Sequence, residues 1–271
     1  MPRKVRSVMV RRCQRGSLRG NTCGMATQSR AKTLLLTRPA PQSARFASLL
    51  AQSFGRDLRI VIAPLMAPRF LHPTLPERAF AALILTSETG AEAARRISAA
   101  GQPLPIRAFC VGDQTATAAA AAGFDPISAQ GDAAALIYLI RSRNQSGPLL
   151  YLHGKDIRGD VAGALNSAGI ETVSALVYDQ IATPLTAEAK AALSQKDPVL
   201  VPLFSPRSAR LFAAEAGSIT PLAPLWVVAL SPAVAREAAV LSPEKLEIAQ
   251  HPDAAALIVA LDKLLQSGQG S

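Results

Sequence analysis

Leu203-Phe204-Ser205-Pro206-Arg207-Ser208-Ala209 is the stretch from which the fold is read. It follows an apolar run, Val199 to Phe204, and precedes Ala213-Ala214-Glu215-Ala216, so it reads as a strand, a tight polar loop and a helix start. The same arrangement occurs at Leu83-Ile84-Leu85-Thr86-Ser87-Glu88, with Ser87 and Ser205 lying 118 residues apart. That offset returns twice. Gly112 in Val111-Gly112-Asp113-Gln114-Thr115 precedes Ser231 in Leu230-Ser231-Pro232-Ala233-Val234 by 119 residues, and Thr37 in Leu34-Leu35-Leu36-Thr37-Arg38 precedes His153 in Leu150-Tyr151-Leu152-His153-Gly154 by 116. An offset held through three motifs points to a strand-loop-helix triplet used twice, matched by pattern more than by identity.

Working outward, strand and helix alternate along the chain. Strands are expected at 33–37, 58–65, 81–85, 107–111, 124–127, 149–152, 199–204, 226–230 and 246–249. Helices are expected at 41–53, 90–100, 114–122, 133–142, 159–167, 207–216, 232–240 and 253–266. Such alternation implies parallel sheets covered on both faces. The apolar run Leu58 to Leu65, followed by Pro68, Pro73 and Pro76, and its counterpart Glu171 to Thr183 look like two crossings between lobes. With short connections, residues 33–62 join 183–266 in one α/β domain, 69–173 form a second, and 63–68 with 174–182 make an inter-domain ladder. The expected fold is α/β: two similar lobes, each a parallel sheet flanked by helices, joined by a two-stranded β ladder with an interleaved chain path. A length of 271 residues suffices for two such cores.

The net charge of +10 is unevenly placed. Residues 1–32 carry nine of the 29 basic side chains and no acid, leaving 20 basic against 19 acidic residues in the rest. A near-neutral body with 4% aromatics lacks the basic face and stacking platform of a nucleic-acid binder. The basic stretch is expected to be a disordered tail or a leader. Either an organelle transit peptide or an upstream start codon, with Met25 opening the protein proper, accounts for it. Cys13, Cys23 and Cys110 show no spacing for a disulfide framework or a metal site, and no window of about 18 apolar residues spans a membrane. A cytoplasmic location is the expectation.

In open parallel sheets, ligands gather at the carboxyl ends of the strands, where loops and helix N-termini present unpaired N–H groups. Six such ends are readable: Thr37-Arg38-Pro39, Thr86-Ser87-Glu88, Gly112-Asp113-Gln114, His153-Gly154-Lys155, Ser205-Pro206-Arg207 with Ser208, and Ser231-Pro232. Taken singly, the Ser, Thr and Asp residues are ordinary helix caps. As a set around one cleft, with Arg38, Lys155 and Arg207, they suit a ligand bearing many carboxylates.

No dinucleotide fingerprint, phosphate-binding GK[ST] loop, nucleophile elbow or paired His or Cys at metal-ligand spacing occurs. Two classes remain: a binding module for a polyanionic small molecule, or an enzyme whose substrate supplies the reactivity. Tyr178 lies in an expected crossing strand, where its hydroxyl serves as a weak acid in the cleft or merely as the wet end of a half-buried side chain. Glu88 and Asp113 are read as exposed caps before acids or bases.

In this order, LLLTRPAPQSARFASLL, LILTS, CVGDQTATAAAAAGF, LYLHGKDIRGDVAGAL, VYDQIAT, LFSPRSARLF and ALSPAVA resemble uroporphyrinogen-III synthase over residues 33–265. The resemblance implies a cofactor-free, monomeric lyase that converts hydroxymethylbilane, an open tetrapyrrole with eight carboxylates, into uroporphyrinogen III. Loss of hydroxyl from ring A gives an azafulvene, and attack through ring D by way of a spiro intermediate inverts that ring. It implies that Tyr178 assists departure of the hydroxyl and that Ser87, Thr115 and Ser205 line the cleft. It also implies a transient hand-over from hydroxymethylbilane synthase, beside the absence of nucleic-acid and membrane partners already read from charge and hydropathy. Two positions depart from the family pattern: Ser231-Pro232-Ala233-Val234 stands where many members carry Gly and Thr, and Glu88 adds a negative charge that such a substrate tolerates only if it points away.

Overall fold

The computed structural model describes residues 32–55, 58–143, 145, 147–157 and 159–267. The basic stretch as far as residue 31, with Cys13 and Cys23, lies outside the described residues, as does the end from Gly268. Lys32, counted with the basic stretch, opens the first strand instead, its ammonium 4.6 Å from the ring centre of Trp226.

The elements in chain order are β1 (Lys32–Leu36), α1 (Ala40–Phe54), β2 (Leu58–Ile62), β3 (Met66–Phe70), β4 (Ala82–Leu85), α2 (Glu88–Ala99), β5 (Arg107–Cys110), α3 (Asp113–Ala121), β6 (Asp125–Ser128) and α4 (Ala133–Ser142). They continue with β7 (Leu149–Gly154), α5 (Val161–Ser167), β8 (Thr172–Ala182), α6 (Ala187–Leu193), β9 (Val199–Leu203), α7 (Pro206–Ala216), β10 (Leu225–Ala229), α8 (Pro232–Ala238), β11 (Lys245–Ile248) and α9 (Ala254–Ser267). Helix α6 has no counterpart among the sequence expectations; the Thr186 side chain caps it by accepting from the Ala189 N–H.

Two sheets form. The first runs β11-β10-β9-β1-β2, and the second runs β6-β5-β4-β7-β8-β3. Apart from β3 the orders coincide, with β4, β5 and β6 standing where β9, β10 and β11 stand, and β7 and β8 where β1 and β2 stand. Three of these pairs, β4 with β9, β5 with β10 and β7 with β1, carry the motifs that sit at the repeated offset. The first sheet is parallel throughout, whereas the second ends in the antiparallel pair of β3 and β8, which matches Met66 to Ala182 and Phe70 to Tyr178.

The position of β3 at an edge explains Pro68: a residue without N–H costs a ladder bond in a central strand and little at an edge. The apolar run expected as one strand over 58–65 stops at Ile62, and the Ala63 and Leu65 N–H groups turn to the carbonyls of Leu36 and Thr37. Strand β8 is long enough to serve twice, pairing in parallel with β7 up to Tyr178 and in antiparallel with β3 from there to Ala182.

Each sheet is covered on both faces, and side chains alternate between them as the pleat requires. In β1, Leu34 and Leu36 enter the core shared with α1 and α9, while Leu35 enters the one built by α6, α7 and α8. In the second sheet, Leu83 and Leu85 face α2 and α3, and Ala82 and Ile84 face α4 and α5. The three leucines of β1 are fully buried, each worth ~1.5–3 kcal/mol of apolar transfer. The strand interiors are buried and the residues just past their carboxyl ends, such as Arg38, Ser87, Ser205 and Ser231, are half-buried, which leaves chemistry to the loops.

Candidate functional site

The strand order marks where a ligand fits. In the second sheet the chain moves outward from β4 through β5 to β6, then returns to β7 on the other flank, so β4 and β7 enclose a topological switch point. In the first sheet the corresponding gap lies between β9 and β1. At the carboxyl ends of these four strands stand Thr86 and Ser87, His153 and Gly154, Ser205, and Arg38.

Tyr178 reaches the second sheet's gap because of a β-bulge. Across β7 and β8, His153 pairs with Leu176 but Gly154 pairs with Tyr178, leaving Val177 as an extra residue. Val177 is buried among the α2-facing residues, and Tyr178, its neighbour, packs against the same cluster, an orientation that regular alternation forbids. The Tyr178 hydroxyl thereby lies 2.9 Å from Ser87 Oγ. Ser87 is the N-cap of α2, its Oγ accepting from the Gly90 N–H at 3.0 Å.

Gly154 is fixed by this arrangement. A Cβ there would overlap the Tyr178 ring and lie 2.8 Å from its hydroxyl oxygen. The Lys155 N–H donates to the Tyr178 carbonyl at 3.0 Å, while its ammonium is 3.8 Å from the Asp179 carboxylate. His153 Nδ1 lies 2.8 Å from the Gly154 carbonyl oxygen, which can only accept, so Nδ1 carries the proton in this bond.

One further hydroxyl at this end escaped the sequence reading. Tyr151 is buried in β7, its hydroxyl 3.2 Å from Thr86 Oγ1 and its ring centre 5.0 Å from that of His153. Burial pushes its phenol up from the ordinary value; the Thr86 hydrogen bond opposes this, and Tyr178 and Asp160 add to it. An apolar strand interior gives no signal for such a residue.

On the first sheet, Ser205 caps α7 in a capping box with Ser208: the Ser208 N–H donates to Ser205 Oγ, and the Ser205 N–H to Ser208 Oγ, both at 3.2 Å. Ser208 is buried by this role. Arg207 projects to the other sheet, pairing with Asp156 and donating to the Gln180 carbonyl at 2.7 Å. Arg38 lies over Phe204, 4.1 Å from the ring centre, and Phe204 meets Phe46 edge-on. Burial and the nearby Arg45 lower the Arg38 guanidinium from its ordinary value, with Glu88 opposing. It remains charged at neutral pH.

The α3 and α8 ends are less committed. Gly112 occupies the N-cap of α3, and Thr115 in its first turn is buried, 5% exposed. Asp113 accepts from Ser128 Oγ at 2.6 Å, tying α3 to β6. Ser231 precedes α8 without a side-chain cap bond.

Glu88, the departure from the family pattern, is held by the two terminal nitrogens of the Arg45 guanidinium, at 2.7 and 2.9 Å. Arg45 lies on α1 and Glu88 on α2, so this contact also joins the two sheets' layers. Between the start of α1, the β3–β8 ladder and the start of α2 lies a cavity of about 260 Å³, lined by Pro39, Gln42, Pro64, Phe70, Glu88 and Gln180 among others. A larger hollow, about 700 Å³, is walled by residues 74–80 and 101–105, which lead into the amino ends of β4 and β5, away from the switch points.

Among the described residues no helix is long and apolar enough to cross a membrane. No curated protein matches the chain in sequence. The solved structure of uroporphyrinogen-III synthetase from Helicobacter pylori superposes with a TM-score of 0.56 at 18% identity, over 86% of this chain and 99% of that one. A mutant uroporphyrinogen III synthase from the extreme thermophile Thermus thermophilus is 15% identical over 88% of this chain and 100% of its own, with a TM-score of 0.44. The Helicobacter likeness shows the α/β fold. The sequence model described as uroporphyrinogen-III synthase HemD matches residues 48–259, most of both sheets and all of the ladder, and by that match the chain belongs to the uroporphyrinogen-III synthase family, lyases of tetrapyrrole synthesis.

Proposed function

We propose that this chain converts hydroxymethylbilane into uroporphyrinogen III, inverting ring D with loss of one water. The observation that supports this most is the Tyr178 hydroxyl, set against Ser87 at one switch point, with Arg207 reaching the same region from the other sheet. Ser87 Oγ, already an acceptor for Gly90, receives or offers one more bond, so it aims the phenol. Tyr178 then protonates the departing ring A hydroxyl or orients a water that does so, and the hydroxyl leaves as water. Carbon–carbon bond formation at ring D follows, and the spiro intermediate reopens to the inverted macrocycle.

The substrate is reactive without help and closes unaided to the type I isomer. The protein's share is therefore orientation within the cleft. Carboxylate arms are met by Arg38, Lys155 and Arg207 and by the hydroxyls, imidazole and unpaired backbone N–H groups around the strand-end positions Thr86, Ser87, Gly112, Thr115, His153, Gly154, Ser205, Ser208 and Ser231. In this reading residues 33–62 with 183–266 and residues 69–173 are two domains that close on the substrate about the ladder. The enzyme acts as a cytoplasmic monomer that receives its substrate from hydroxymethylbilane synthase.

The test supplies freshly made hydroxymethylbilane to the purified chain, oxidises the products and separates type I from type III uroporphyrin. Predominant type III is expected. Type I alone, at the spontaneous rate, overturns the proposal and favours a binding module for a polyanion.

A further inference from the structure

The two walls of the cleft differ in charge. The first sheet's side contributes Arg38, Arg45 and Arg207, and the second sheet's side contributes Glu88 and Asp156, with Lys155 and Asp179 beside them. Two of the arginines are already occupied. Both Glu88 oxygens take the Arg45 fork, and Asp156 takes one nitrogen of Arg207, whose other nitrogen holds the Gln180 carbonyl.

These pairs join residues 43 and 51 positions apart in sequence, and neither is buried: the Arg45 and Arg207 side chains are 42% and 43% exposed. Exposed pairs of this kind contribute little to stability, so the fold does not depend on them. A carboxylate on a guanidinium fork is also the contact a carboxylate-bearing ligand would make. Arg38 offers the contrast, its guanidinium lying on Phe204 with no acid in ion-pair contact among the described residues.

We infer that Glu88 and Asp156 occupy, in the free protein, the places that two substrate carboxylates take in the complex, so that Arg45 and Arg207 exchange partners when substrate binds. This rests on the reading of the substrate as a polycarboxylate bilane. Arg45 thereby joins the substrate-binding residues. The Gln180 carbonyl keeps the Arg207 guanidinium in place while its acid partner leaves. The exchange also unties the two walls, since each ion pair runs between them, and the ligand becomes the new tie. The two acids are internal competitors, and their removal improves binding.

The test compares wild type with Glu88→Gln, Asp156→Asn and the double variant, using uroporphyrin III, an octacarboxylate, as a fluorescent binding probe at low and high salt. Thermal unfolding of each variant checks that the fold is kept. Each single variant is expected to bind the probe about 3-fold tighter and the double variant about 10-fold tighter, with KM for hydroxymethylbilane falling in parallel. Arg45→Ala is expected to bind about 3-fold more weakly. Unchanged or weaker affinity in the acid-to-amide variants, or no probe binding at all, overturns the exchange. The two ideas fail separately: a wild-type chain giving only type I product, with amide variants that bind the probe more tightly, sinks the cyclisation reading and upholds the exchange.

Discussion

The hydroxyl of Tyr178 lies 2.9 Å from Oγ of Ser87, the residue that caps α2, so the phenol is anchored to a helix start. Tyr178→Phe keeps the ring that packs on the sheet and removes only this oxygen. Turnover is expected to fall by on the order of tens of fold or more, with the thermal midpoint within a few degrees of wild type. Steady-state kinetics beside a melting curve check it, and unchanged turnover removes Tyr178 from the mechanism.

Gly154→Ala attacks the same group from behind. The added methyl overlaps the Tyr178 ring, which must swing away from Ser87 or push β7 from β8. A loss of turnover like that of Tyr178→Phe is expected, with about 1–3 kcal/mol of lost stability from overpacking. Denaturant unfolding and the isomer assay measure the two effects. A variant with full activity shows that the tyrosine's place is not critical.

Arg207→Ala is expected to raise KM more than it lowers kcat, because its guanidinium pairs with a carboxylate, that of Asp156, which is the contact proposed for the substrate. Kinetics across a range of salt concentrations give the split. A pure rate defect contradicts the clamp.

Glu92 supplies a pH dependence. Hydrogen bonds from Arg95 and Arg96 hold its carboxyl down at about 2, against an ordinary value of 4.5. A depressed acid contributes stability that is present above pH 4.5 and lost as the pH falls towards 2. Both arginines are half exposed, so solvent screening keeps the contribution small. Unfolding of wild type and Glu92→Gln at pH 6 and pH 3 is expected to show a gap at pH 6 that narrows at pH 3; a gap that is constant with pH contradicts the assignment.

Cys110 is buried in β5, and burial raises its thiol to about 11. In a chain carrying Cys13→Ser and Cys23→Ser, an aromatic disulfide reagent at pH 8 is expected to react only after denaturant is added. Rapid reaction of the native chain counts against the burial.

Strands and helices were legible in the sequence because their signals are local. Ser205 before Pro206, and Ser87 before Glu88, are cap patterns that a chain shows within a few residues, and both form the expected caps. The strands interior to both sheets are apolar runs because both faces are covered, and these too are local. What stayed hidden depends on distance along the chain. Arg45 and Glu88 meet across 43 residues, and neither is unusual in its own segment. The bulge at Val177 is a matter of pairing register, and nothing in Ala175-Leu176-Val177-Tyr178 announces it. Gln42 and Gln180 beside the smaller cavity look like ordinary surface amides until α1 and the ladder come together.

The interleaved order of the strands has a consequence for synthesis on the ribosome. The second sheet is built from one contiguous segment, β3 to β8, and has all its strands once Ala182 has emerged. The first sheet begins earlier and finishes last: β1 and β2 are made at the outset, but β9, which lies beside β1, starts only at Val199. For that interval Leu34, Leu35 and Leu36 lack the neighbours that later bury them, so the opening strand-helix-strand unit of the nascent chain is the segment in need of shelter from aggregation.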